Sequence, residues 1–454
     1  MKKFILLLLC LPCALLTRSQ ASITPDLQAA FDEVINAQFK PDEPGGAVLI
    51  TQQGKIIYER AFGMANLELN VKMKPDMVFC IGSITKQFTA VCILQLAEAG
   101  KLSIHDTISK FIPDAPTAWQ AVTLEHLLTH TSGITDEENW QNSSPDDLIK
   151  RAKERPLAFQ PATKFAYNNI EYVLLGNVVA KVSGLPFSEY AKKNLLLPLG
   201  MTHTYFDDNS IIPNRVSAYL NSSKRGFQNV HLRVIGAVGE ALFSNTQDLF
   251  IWHKGLLDGK LIKKEILKKA WTSYRLTDGK EVDYGYGWQT GGVIAGSPII
   301  EHGGLAVGYS TDALYLPGED MFVAVFMNQR SNQPEIIAAK LTALALGKPD
   351  TINSIVLSDS VLRSYTGVYI EDTVRRHITF NNHSLYYQRE GSRIKMEMKP
   401  YATDKFFFEN TSVIGETKRN AEGRITALWL FNNRHPFKPT GILNKIDPIL
   451  PAKE

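Results

Sequence analysis

Apolar residues are grouped differently at the two ends of the chain and in its middle. Near the N-terminus, Ala47-Val48-Leu49-Ile50-Thr51 and Lys55-Ile56-Ile57-Tyr58 are separated by Gln52-Gln53-Gly54. Far downstream, Ala313-Leu314-Tyr315-Leu316 and Phe322-Val323-Ala324-Val325-Phe326 flank Pro317-Gly318-Glu319-Asp320. Short apolar runs split by turn residues predict a β-hairpin at each place. Between them the apolar spacing is helical. Residues 89–99, apolar nearly all round, stop at Gly100, and residues 172–182 stop at Ser183-Gly184. Both predict buried helices ended by glycine. A last helix is predicted over 334–346, before Gly347. Strands at both ends of a helical stretch predict an α/β chain of the α+β kind. Its antiparallel sheet would be covered by helices, with a helical region inserted in the chain.

Beyond Gly347-Lys348-Pro349-Asp350 the texture changes. His377-Ile378-Thr379-Phe380, Leu385-Tyr386-Tyr387, Lys405-Phe406-Phe407-Phe408 and Ala427-Leu428-Trp429-Leu430 are strand-like, with turn residues between them. The expectation is a main domain over 25–346, a linker over 347–354, and a small all-β barrel or sandwich over 355–447.

The first residues stand apart. Lys2 and Lys3 precede an apolar run from Phe4 to Leu16, followed by Arg18 and the ending Ser19-Gln20-Ala21. This is the pattern of a secretory signal peptide over 1–21, too short to span a bilayer comfortably. It predicts an exported protein, periplasmic or secreted, with no transmembrane segment in the mature chain. Without Lys2, Lys3 and Arg18 the 49 basic residues become 46, equal to the 46 acidic ones. A chain with no basic block is not expected to bind nucleic acid. The remaining cysteines, Cys80 and Cys92, read as buried thiols, because one stands before a helix and the other inside it.

Candidate chemistry begins at Phe79-Cys80-Ile81-Gly82-Ser83-Ile84-Thr85-Lys86. At a helix start, residues three apart share a face, so Lys86 can reach the Ser83 hydroxyl. A serine becomes a useful nucleophile when a base takes its proton, and lysine serves when its ammonium form is disfavoured by burial and by the helix dipole. The same helix start offers backbone N–H groups to a developing oxyanion. A second match, Ser392-Arg393-Ile394-Lys395, lies in strand-like sequence, where residues three apart face opposite ways.

Two further stretches complete a set. Phe165-Ala166-Tyr167-Asn168-Asn169 precedes the helix expected near Tyr172; a tyrosine there can shuttle a proton and an asparagine can orient lysine and substrate. Ile299-Ile300-Glu301-His302-Gly303-Gly304-Leu305 runs from a strand into glycines that let backbone approach a ligand. His302 can offer a hydrogen bond or a charge. Tyr219-Leu220-Asn221 and His253-Lys254-Gly255 repeat these spacings in less suitable surroundings.

In the order S-x-x-K, Y-x-N, H-x-G, the chain resembles the serine β-lactamase and penicillin-binding protein-like superfamily, in its class C-type branch. That branch includes D-alanyl-D-alanine carboxypeptidases, esterases and D-aminopeptidases. Leu127-Leu128-Thr129-His130-Thr131-Ser132-Gly133 and Tyr284-Gly285-Tyr286-Gly287-Trp288 are similar to further family segments, and the resemblance spans about 25–346. The β-rich tail looks like an appendage carried by some members. The resemblance implies that Ser83 is acylated and that Lys86 and Tyr167 move protons. It implies an oxyanion hole from the N–H groups of Ser83 and Leu305, with Asn169, His302, Gly303 and Gly304 binding substrate.

Two departures bear on specificity. His302-Gly303 stands where β-lactamases carry lysine and threonine, which removes a permanent cation and a hydroxyl that would greet a substrate carboxylate. Glu240-Ala241 stands where relatives have glycine. The expectation is an exported serine hydrolase acting on a small-molecule or peptide ester or amide, of esterase or D-amino-acid peptidase or carboxypeptidase type. The alternatives are a class C-like β-lactamase and a non-catalytic penicillin-binding-type sensor. No cofactor and no metal is assigned: His126 and His130 are four apart, but Leu127 stands where a zinc hydrolase needs glutamate.

Overall fold

The computed structural model describes residues 23–136, 143–207, 210–222, 224–230, 242–330, 333–348, 354–408, 411 and 413–446. The 1–21 segment, Glu240-Ala241 and residues 349–353 of the linker lie outside the described residues.

The helices that matter below are α1 (Pro25–Asn36), α2 (Thr85–Glu98), α3 (Leu124–Leu128), α4 (Asn169–Ser183), α5 (Thr246–Leu257) and α6 (Gln333–Ala345). The central sheet contains β1 (Gly46–Gln52), β2 (Lys55–Phe62), β3 (Gln289–Ile294), β4 (Ser297–Ala306), β5 (Tyr309–Leu316) and β6 (Met321–Met327). Its order is β3-β4-β5-β6-β1-β2, antiparallel throughout.

Both predicted hairpins are present, and the chain between them supplies the helical region. The strands read as continuous apolar runs because both faces of the sheet are covered. In β1, Ala47 and Leu49 join the core shared with α2, α4 and α5, while Val48 and Ile50 pack with Phe31 and Ile35 of α1 and Ile337 and Leu341 of α6. Alternation along one strand thus feeds two cores. No single described helix is long and apolar enough to cross a membrane.

The helix start expected at Ser83 is present: the 3-10 turn Gly82–Ile84 runs directly into α2 at Thr85. Two local expectations need correction. α4 begins at Asn169 rather than near Tyr172: the Asn168 side chain accepts from the Ile170 N–H and caps it. The strand carrying His302 does not stop at the glycines but continues to Ala306, paired with β5 in register Leu305↔Ser310.

The tail is a closed eight-stranded barrel, which decides between barrel and sandwich. Its strands are β7 (Gly367–Glu371), β8 (Val374–Asn381), β9 (Ser384–Arg389), β10 (Lys395–Ala402), β11 (Lys405–Phe408), β12 (Val413–Arg419), β13 (Ile425–Asn432) and β14 (His435–Ile446). Leu385 with Tyr387, and Phe406 with Phe408, point inward at the strand period of two and fill the interior. The β13–β14 turn reaches the sheet, where the Arg434 carbonyl accepts from the Val293 N–H at 2.6 Å.

Candidate active site

Ser83 lies in a single 3-10 turn, Gly82–Ile84, that leads directly into α2. No side-chain cap bond forms at this helix start, so the serine is not spent on capping. Lys86 is 0% exposed, which excludes a solvated surface lysine. Its Nζ donates to Ser83 Oγ at 3.0 Å and to Asn169 Oδ1 at 2.7 Å. Nζ also sits 4.8 Å from the centre of the Tyr167 ring. Residues from helix starts far apart in the chain therefore meet at one lysine nitrogen. A buried lysine needs such partners, because desolvation of an unpaired charge is expensive.

The turn is pressed against β4 by two glycines. Gly82 has φ +53°, and a Cβ on it would stand 2.7 Å from the Leu305 nitrogen. A Cβ on Gly304 would stand 2.0 Å from the Ile81 carbonyl oxygen. Thr311 Oγ1 donates to that same carbonyl at 3.0 Å. The close approach sets the backbone of Ser83 beside that of Leu305, the arrangement an oxyanion hole requires.

His302 is buried, and burial followed by the Lys86 charge pulls it down to about 4. A neutral ring has one donor and one acceptor nitrogen. Nδ1 lies 2.6 Å from the Gly303 carbonyl, which can only accept, so Nδ1 carries the hydrogen. Nε2 then accepts from the Tyr284 hydroxyl at 2.8 Å, and burial raises Tyr284 well above the usual phenol range. Both ring nitrogens are engaged within the protein, so the ring lines the cavity as a fixed neutral wall.

Beneath Tyr167 lies a pair not singled out in the sequence. His130 Nδ1 is 2.5 Å from Glu171 Oε2, and both residues are fully buried. Burial lowers His130 well below the usual imidazole range and raises Glu171 well above the usual carboxyl range. The Asn168 N–H also points at Nδ1, at 3.3 Å, which makes that nitrogen an acceptor. The pair is therefore a neutral acid donating to a neutral ring, with Ser132 Oγ donating to the other Glu171 oxygen. The His130 ring packs 4.4 Å from Tyr167 and 4.8 Å from Tyr284, centre to centre.

Ser83, Tyr167, Asn169, His302, Gly303, Gly304 and Leu305 line one open cavity of about 350 Å³, joined by Glu335 from α6. Lys86 lies just behind it. Every residue assigned to the site from sequence thus converges. The repeats do not: Tyr219 is bound to Glu68, and His253 is buried against Tyr315 and Phe322. Ser392 accepts from the Ile394 N–H while Lys395 lies over Tyr386, so that pair never meets. His126 caps α3 through Thr123 and His130 belongs to Glu171, so these rings engage different partners. Cys80 and Cys92 are separate buried thiols. Glu171 had a signal, an acid inside the apolar run Ile170–Leu175, whereas Glu335 had none.

Residues 30–347 match the family model described as Beta-lactamase. Penicillin-binding protein 4* of Bacillus subtilis is 27% identical over 408 residues, covering 81% of this chain and 88% of its own. The octameric penicillin-binding protein homologue from Pyrococcus abyssi is similar in structure at a TM-score of 0.68 and 26% identity, over 92% of this chain and 99% of its own. The D-amino acid amidase from Ochrobactrum anthropi shares the fold at a TM-score of 0.63 and 18% identity, over 71% of this chain and 99% of its own.

Proposed function

Because the chain belongs to the β-lactamase family of serine hydrolases, we propose that it opens ester or amide bonds through an acyl intermediate on Ser83. The observation that carries this reading is the 3.0 Å contact between a fully buried Lys86 Nζ and a Ser83 Oγ that faces the cavity.

In this reading Lys86 acts as the amine and accepts the Ser83 proton while Oγ attacks the carbonyl carbon. Negative charge gathers on the carbonyl oxygen, opposite the N–H groups of Ser83 and Leu305. The Lys86 proton passes to the leaving alcohol or amine through Tyr167, whose ring lies against Nζ. The bond to the leaving group breaks, and Oγ holds the acyl group. Water then attacks the acyl carbon, giving its proton to the Lys86–Tyr167 pair, and the carboxylic acid departs as Oγ regains hydrogen. Asn169 fixes the lysine throughout. His302 contributes shape rather than charge. Without a cation at 302, an efficient β-lactamase is the weaker reading. Export is the companion proposal, resting on the 1–21 segment.

The test compares the protein with Ser83→Ala in p-nitrophenyl ester hydrolysis, with intact masses taken alongside. An acyl adduct and turnover in the parent alone support the reading. Equal release from both, with no adduct on the parent for any ester tried, overturns it in favour of a binding module.

A further inference from the structure

The cavity has a charged wall that the reaction scheme leaves unused. Glu335 lies in the first turn of α6 and lines the cavity together with Ser83. Among the described residues its carboxylate forms no hydrogen bond and no ion pair. A Cβ at position 303 would lie 3.4 Å from Glu335 Oε1. With glycine at 303, no side chain stands between the strand and this carboxylate. Where a penicillin-type site presents a hydroxyl to an anionic substrate, this cavity presents an acid.

Its neighbours make the wall more acidic still. Asp312 of β5 and Glu301 of β4 are buried behind it. Arg434, from the β13–β14 turn, gives its nitrogens to Asp312 at 3.2 and 2.8 Å, to Glu301, and to the Glu335 backbone carbonyl. His435 Nε2 adds a contact to Glu301 at 3.1 Å. The arginine is thus committed to the two deeper acids and the backbone. Burial and the Asp312 charge push the Glu335 carboxyl up to about 7. A carboxylate held this way gains most from a cation that enters from the cavity.

We propose that Glu335 is a specificity-determining residue that receives a substrate ammonium group, so that the preferred substrates are esters or amides of amino-bearing acyl groups. This deepens the hydrolase reading of Ser83 and rests on it. Acyl groups ending in a carboxylate are disfavoured by the same wall.

The experiment uses the full chain and p-nitrophenyl esters of glycine, β-alanine and 6-aminohexanoic acid, each beside its N-acetyl counterpart. The spread of chain lengths samples the reach from Ser83. For at least one length, the parent prefers the free amine by about tenfold or more in kcat/KM, expressed mainly in KM. Glu335→Gln removes that preference, and Glu335→Lys turns it against amines. Melting temperatures close to the parent's show that both variants fold. Equal handling of amine and N-acetyl esters at every length, or a preference that survives Glu335→Gln, overturns the proposal. If no ester acylates Ser83, the hydrolase reading has failed and binding decides separately. The matching amides are then titrated calorimetrically into Ser83→Ala and into Ser83→Ala with Glu335→Gln. An amine preference present in the first and absent in the second supports the acidic wall, and its absence from both overturns it.

Discussion

Tyr284 donates its hydroxyl to His302 Nε2 across 2.8 Å, completing the hydrogen bonding of a ring whose tautomer the Gly303 carbonyl sets. Removing it leaves a buried acceptor without a partner. Tyr284→Phe is expected to cost about 1–3 kcal/mol of stability. It should also lower kcat/KM, because the wall of the cavity can then turn. Denaturant unfolding and ester kinetics on one preparation check both effects. Unchanged stability would mean that water replaces the phenol.

The two titratable walls predict opposite pH behaviour from a surface histidine. The readout is the ratio of kcat/KM for a succinyl ester to that for an acetyl ester, which cancels the shared machinery. Glu335, facing Asp312, Glu301, Arg434 and His435, is negative above about 7 and neutral below. In the parent the ratio therefore rises as pH falls through that value. In Glu335→Gln it should stay level from pH 8 to about 5.5, because His302, facing Lys86, Tyr284 and Tyr167, takes up its proton only near 4. A rise centred on about 6.5 in that variant would show an ordinary histidine.

Lys86→Met separates chemistry from stability. Turnover should fall by about a thousandfold or more, since in the proposed scheme Ser83 loses the group that receives its proton. The fold should hold or strengthen, because an apolar chain of similar length replaces a buried polar nitrogen. A variant that loses activity only by unfolding would contradict this, and near-ultraviolet circular dichroism distinguishes the cases.

Gly304→Ala tests the contact between β4 and the Ser83 turn. The added Cβ would meet the Ile81 carbonyl at 2.0 Å, so β4 must move away from the Ser83 turn. The expected result is a fall of about a hundredfold in kcat with a smaller change in KM, as when an oxyanion donor is displaced. A loss confined to KM would place the oxyanion donors elsewhere.

Sequence made some of this site legible for a physical reason. Ser83 and Lys86 share a turn, Tyr167 and Asn169 share a helix start, and His302 to Leu305 share a strand. Local spacing encodes contacts of that kind. The start of α4 falls three residues before the expected Tyr172 because capping by Asn168 extends the helix into polar sequence. The barrel's β10 and β14 were hidden because Pro400, Pro436 and Pro439 interrupt their apolar pattern. Glu335 and Arg434 carry no local signal at all. They matter only because β4, β5, α6 and the barrel turn come together, and one sequence does not announce a contact between elements so far apart.

Arg434→Met asks how firmly the barrel is tied to the sheet. It leaves Asp312 and Glu301 buried without their guanidinium, at an expected cost of about 3–5 kcal/mol. Equilibrium unfolding should show it, and pairing the change with Asp312→Asn should recover part of the loss. No recovery would mean that the arginine acts through packing alone.

The position of that arginine also sets an order of events. A chain is synthesised from its N-terminus, and domains fold largely as they emerge. The sheet is complete at Met327 and α6 at Ala345, while Arg434 follows only after seven of the eight barrel strands. Until it arrives, the wall behind Gly303 holds acids that must stay protonated or wet. Along the chain, the elements around Ser83 are therefore complete long before the residue that neutralises the acids behind Gly303.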